Sequence, residues 1–208
     1  MPSSNPWPTI HAERTALAAD LESLADQQWD TPSMCEGWSV REVLGHMTAT
    51  AAMTQGKFFA KLIGSGFRFN AMSDKEVARQ VEGSPADTLA RFKEHASSTT
   101  HPPGPLDSWL GETLVHSEDI RRPLGISRPY PLDAVTRVAD FYKGSNLLLG
   151  GKKRIAGLTL RATDADWSTG TGPEVAGPAL SLMLVIAGRP AALDDLSGEG
   201  LATLQARV

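Results

Sequence analysis

The chain has 208 residues, of which 41% are hydrophobic and 21% charged, and carries a net charge of -4 and a single cysteine. That length holds one sizeable domain, or a domain with a small appendage, and its core needs no disulfides. The acidic balance, without any Lys/Arg cluster, excludes a nucleic-acid footprint, and one cysteine excludes an internal disulfide framework and fits a reducing, cytoplasmic compartment.

The lead Met1-Pro-Ser-Ser-Asn-Pro-Trp-Pro8 lacks the basic and apolar regions of a signal peptide. The longest apolar run, Ala179 to Ala187, is too short to span a bilayer, so no membrane partner is expected. Ile10 to Leu24 reads as a helix with Leu17, Leu21 and Leu24 inward, and His11 near its start is expected to be exposed. Thr31-Pro and Glu36-Gly punctuate a loop. Ser39 and Glu42 then form a capping box, with Trp38 and Val43 as its hydrophobic staple. The helix they open is predicted to run to about Ile63, with Val40, Val43, Leu44, Met47 and Ala51 as its core stripe. His46 lies on the edge of that stripe, in line with Thr50 and Met53, and is placed to face a partly apolar cavity.

Helices are predicted over Ser73 to Val81 and Pro85 to Ser97, with His95 at the surface. After the His101-Pro-Pro-Gly linker, another runs from Leu106 to Arg122, ended by Pro123 and Gly125. Leu132 to Leu149 is amphipathic and closed by Gly150-Gly151. The pattern then changes: 157–163 alternates as a strand, with further short strands at 167–169 and 174–176. Pro178 opens an apolar helix ended by Gly188, and a short helix from Leu201 to Ala206 closes the chain. The expectation is a mainly α protein: a helical bundle over 1–150 and a small α/β appendage over 151–208.

The chemistry concentrates in Glu112-Thr-Leu-Val-His116. Residues four apart share one face of a helix, and Asp119 falls on the same apolar face with Trp109, Val115 and Ile120. Charged groups on an inward face need a partner or a metal. Two arrangements satisfy this: a buried Glu112–His116 ion pair, or a divalent metal completed by His46. The latter has the two-imidazole, one-carboxylate set of a catalytic zinc site with an open position. Asp119 would then be an acceptor for a ligand imidazole or a fourth ligand. Cys35 has no base nearby in the sequence and is read as a small packed residue. Arg121 and Arg122 are read as closing the helix electrostatically and pairing with nearby acids.

The segment Thr31-Pro-Ser-Met-Cys-Glu-Gly-Trp-Ser-Val-Arg-Glu-Val-Leu-Gly-His46 resembles the entry segment of the mycothiol-dependent maleylpyruvate isomerase family, within the DinB-like four-helix-bundle superfamily. Glu112 to Gly125 is similar to that family's second metal-binding segment, and Leu182 to Arg189 with Leu196-Ser-Gly-Glu-Gly200 resembles its small C-terminal domain. The resemblance implies a DinB-like bundle in which His46, Glu112 and His116 bind a divalent metal, usually zinc. That metal activates the thiol of a cofactor, typically mycothiol, toward a small electrophilic substrate. Both an isomerase and an S-transferase begin with that step. Arg189 matches a Gly-Arg position and is a catalytic candidate able to hold a carboxylate bidentately. DinB-like bundles are often dimers, so a homodimer is also implied. A metal-dependent hydrolase and a non-catalytic metal-bound sensor are the competing functions.

Overall fold

The computed structural model describes residues 5–146 and 149–208. The first four residues of the Pro-rich lead, and Leu147 and Leu148 near the end of the predicted 132–149 helix, lie outside the described residues. The chain forms two compact units, Met1–Ser127 and Arg128–Val208.

The first unit is helical: α1 (Trp7–Asp20), α2 (Val40–Ala52), α3 (Gln55–Gly64), α4 (Phe69–Gln80), α5 (Pro85–His95) and α6 (Leu106–Arg121). Helix α2 packs against α4, α5 and α6, and α1 packs against α5 and α6. Leu17, Leu21, Trp29, Val40, Val43, Leu44, Met47, Phe92 and Ile120 fill the space between them. Helix α2 starts where the sequence places it. The Ser39 hydroxyl accepts from the Glu42 amide, and the Glu42 carboxylate accepts from the Ser39 amide at 2.8 Å.

The predicted single helix to Ile63 is instead two. Met53 is extended, and Thr54 caps a new helix by accepting from the Lys57 amide at 3.2 Å. A threonine that can cap competes locally with helix continuation. Helix α1 ends at Asp20, where the chain turns before a 3₁₀ turn at Asp26–Asp30.

Helix α6 also departs from the simple two-sided reading. The side of the helix opposite Glu112 and His116 is buried too: Ser117, Glu118 and Arg121 are each 4% exposed or less. The charges survive there because they are paired. Arg121 donates to Asp20 at 2.8 Å, tying α6 to the end of α1, and Arg122 donates to Glu118 at 3.0 Å. These are the acid partners expected for both arginines.

The second unit comprises α7 (Leu132–Lys143), α8 (Gly151–Arg154), three short strands, α9 (Ala179–Ile186) and α10 (Leu201–Gln205). The strands β1 (Thr159–Ala162), β2 (Ser168–Gly170) and β3 (Glu174–Gly177) are ordered β2-β1-β3. Leu160 pairs with Thr169 antiparallel and with Val175 parallel. Helix α9 is apolar all round, as a central helix must be. Asp164 accepts from its first amide at 2.8 Å, and its one hydroxyl, Ser181, donates to Asp195 at 2.6 Å.

Helix α7 stops at Lys143, and its buried face (Val135, Val138, Ala139, Tyr142) packs on α9. The unit boundary therefore falls at 127/128 rather than at the expected 150. Arg189 lies in this unit, half-buried after Gly188, with Nη1 donating to the Ala187 carbonyl at 3.2 Å. Its charge lies close enough to Arg154 to lower that residue's pKa, behind the larger effect of burial.

Candidate metal centre

His46 and His116 do meet. Their rings stand edge-on with centroids 4.9 Å apart and planes at 75°. The contact joins α2 to α6, seventy positions apart in the chain, and follows from the packing of those helices on one core. Trp38 covers the His46 ring from its other neighbour position, at 5.1 Å. Neither ring nitrogen of His46 has a hydrogen-bond partner among the described residues. Burial, and then the neighbouring His116, lower its pKa to about 3, with Asp119 opposing weakly. The imidazole is therefore neutral at physiological pH, the state in which it can donate a lone pair.

His116 is oriented by its own helix. Its Nδ1 shares a proton with Asp119 Oδ2 at 2.8 Å, one turn further along α6, and Asp119 is fully buried. That bond engages Nδ1 and leaves Nε2 as the nitrogen for another partner. Asp119 thus stands as the hydrogen-bond partner of the His116 ring.

Glu112 lies one turn before His116 on the same face. Its Oε1 is shut off from solvent without a hydrogen-bond partner. Burial raises its pKa, against the opposing influence of Arg14, His116 and the hydroxyls of Thr113 and Thr50. Arg14 is the feature missed in the sequence. It is 1% exposed on α1, donates to the Ser98 carbonyl at 3.2 Å, and its charge faces Glu112. The signal was present, since Ile10, Arg14, Leu17 and Leu21 repeat as one helical stripe.

The other expectations are placed as follows. His11 is half-buried rather than exposed, its Nε2 3.2 Å from the Ser98 carbonyl. His95 is half-buried as well. Trp109 stacks on His101 at 5.7 Å, and Trp7 stacks on the same ring. Cys35 packs against the core, as read from the sequence. It also contributes to something the sequence did not suggest: ligand atoms of Cys35, His116 and Asp119 all lie within 4.8 Å of one another.

Beside His46 opens a cleft with about 50 Å³ of free volume, lined chiefly by Ala49, Met53, Phe58, Phe69 and Met72. Glu76, at its edge, is neutralised by Lys61 and Arg79. The residues present fit a cation. The His46 and His116 rings meet between α2 and α6, and Glu112 Oε1, one turn before His116, is buried without a donor, although these three do not gather as closely as the 4.8 Å within which Cys35, His116 and Asp119 lie. A buried polar atom without a partner is costly. A divalent metal would supply what Glu112 Oε1 and the His46 ring lack.

Residues 10–107 match the family described as mycothiol maleylpyruvate isomerase N-terminal domain, a span that includes His46 and stops short of Glu112. Among solved structures, the chain is similar to a crystal structure of the mycothiol-dependent maleylpyruvate isomerase. Identity is 12% and the TM-score 0.56, over 96% of this chain and 93% of that one. A histidine-to-alanine mutant of that isomerase is similar at 11% identity and a TM-score of 0.54, over the same shares. No curated protein matches. At these identities the likeness is one of fold, and it bears out the DinB-like bundle with a small α/β appendage. No helix among the described residues is long and apolar enough to cross a membrane.

Proposed function

We propose, from the match of residues 10–107 to the mycothiol maleylpyruvate isomerase N-terminal domain family, that the chain is a mycothiol-dependent metalloenzyme. Its reaction is an isomerisation or an S-transfer on a small electrophile. The observation that carries this reading is the pair of uncommitted donors, Glu112 Oε1 and the His46 ring, beside His116.

His46, Glu112 and His116 would hold a divalent cation, with zinc the best match to two imidazoles and a carboxylate. When bound, such a cation supplies the Lewis acidity that makes a cofactor thiol nucleophilic at neutral pH. The protein's own residues do the rest. Asp119 holds His116 in one tautomer through the 2.8 Å bond to Nδ1. Arg14 keeps a positive charge opposite Glu112 and favours its ionised form against burial. Trp38 stacks on His46 and restricts its ring. Met53, Phe58, Phe69 and Met72 exclude water beside His46 and accept the apolar part of a substrate. That lining favours a small, largely uncharged electrophile at this wall. Arg189, in the second unit, is the candidate for a substrate or cofactor carboxylate.

The test is metal content and turnover measured on the same preparations. The wild type is expected to bind one divalent cation per chain and to consume mycothiol with a reactive electrophile. His46→Ala and His116→Ala are expected to lose both properties. A wild type that takes up no cation, or variants that match it in metal content and turnover, would defeat the proposal. Turnover that persists after all low-molecular-weight thiol is removed would point instead to a hydrolase.

A further inference from the structure

We propose that Cys35, His116 and Asp119 form a separate site for a thiophilic divalent cation of the zinc and cadmium class, using the His116 nitrogen that now faces Asp119. The three ligand atoms lie within 4.8 Å of one another, although Cys35 stands on a loop more than eighty positions before His116. The loop is held there. The Met34 amide donates to the Asp119 carbonyl at 3.1 Å, and the Ser33 hydroxyl donates to the Trp38 and Cys35 carbonyls at 2.7 and 3.1 Å. The ligand set is therefore pre-arranged by backbone bonds that do not depend on a metal.

The geometry needs small changes. Sulfur, nitrogen and oxygen donors around one tetrahedral zinc stand about 3.4–3.6 Å apart, given bonds of about 2.0–2.3 Å. The His116–Asp119 pair, now at 2.8 Å across a proton, must open by roughly half an ångström, and Cys35, half-buried on its loop, must swing inward by about 1 Å to reach those bond lengths. Binding releases the thiol proton to solvent, while the imidazole proton moves from Nδ1 to Nε2, so that Nδ1 presents its lone pair. A thiolate in the set selects soft cations over magnesium or calcium.

If His46, Glu112 and His116 form the centre proposed above, the tautomer shift acts on it as well. With Nε2 protonated, His116 can no longer serve a cation beside His46, so the two sites exclude each other through one shared ring. A thiophilic cation in excess would then empty the first centre.

Cadmium titration reads the site directly, because Cys35 is the single cysteine and any thiolate-to-cadmium ultraviolet band must come from it. In the wild type, without added thiol, the band is expected to rise and saturate at one equivalent. Cys35→Ser should show none. Asp119→Asn and His116→Ala should each weaken the affinity at least tenfold, and His46→Ala should keep the band, at wild-type affinity or tighter because the competing centre is gone. Using both Asp119 and His116 variants guards against one failing to fold. No band in the wild type overturns the proposal, as does wild-type affinity in both of those variants, which would mean a lone thiolate. A band lost in His46→Ala would assign Cys35 to the first centre and equally overturn it. A band retained in His46→Ala alongside lost turnover separates this site from the catalytic reading.

Discussion

Replacing Asp119 by Asn tests how far the His116 ring is prepared for a ligand before any cation arrives. The carboxylate is fully buried and lies 2.8 Å from Nδ1, so the bond is charge-assisted and shielded from water. Such bonds contribute about 1.5–3 kcal/mol. Asn keeps the shape and an acceptor oxygen but removes the charge. If the lost contribution appears in cation binding at Nε2, at about 1.4 kcal/mol per tenfold, zinc affinity should fall roughly 10- to 100-fold, the range usual for such supporting residues. Competition against a chromophoric chelator at neutral pH measures it, with thermal unfolding as the control for fold. Zinc affinity within twofold of the wild type in Asp119→Asn would refute the reasoning.

Metal-free Glu112→Gln should be more stable than the wild type at pH 7. The folded carboxyl is raised above its unfolded value near 4.3, chiefly by burial, so the wild type loses stability as pH rises through the folded pKa. The difference in thermal midpoint should close as pH falls toward about 4, and a less stable Gln variant at pH 7 would contradict this. His46 runs the other way. Lowered from 6.5 to about 3, it contributes stability above 6.5 that is lost as pH falls, up to about 4–5 kcal/mol at about 1.36 kcal/mol per unit. Metal-free His46→Gln should therefore be less acid-sensitive across that window in urea unfolding. Ser39→Ala breaks the capping box that starts α2 and should cost about 1 kcal/mol, read as a drop of roughly 2–4 °C in the unfolding midpoint. Leu182→Ala, at a fully buried position of α9, should cost about 2–5 kcal/mol by chemical denaturation, and a loss under 1 kcal/mol would mean that α9 is not the centre of its unit.

Local rules carried much of the structure. The Ser39–Glu42 box set the start of α2 because both partners lie within one turn. Glu112, His116 and Asp119 share a face of α6 because 3.6 residues make a turn, and the alternation about Leu160 marked β1 because a strand has period 2. The helix break at Met53–Thr54 was equally local but ambiguous, since Thr54 could continue a helix or cap the next one.

What the tertiary structure decided are encounters between residues that no short-range rule connects. The meeting of the His46 and His116 rings, the charge of Arg14 opposite Glu112, and the delivery of Cys35 to Asp119 each depend on how whole helices and one loop pack. The same packing buried the other side of α6, with α1 against it, and it set α7 on α9. Periodicity says which face of a helix turns inward; only the shapes and volumes of the facing side chains choose which other face it meets.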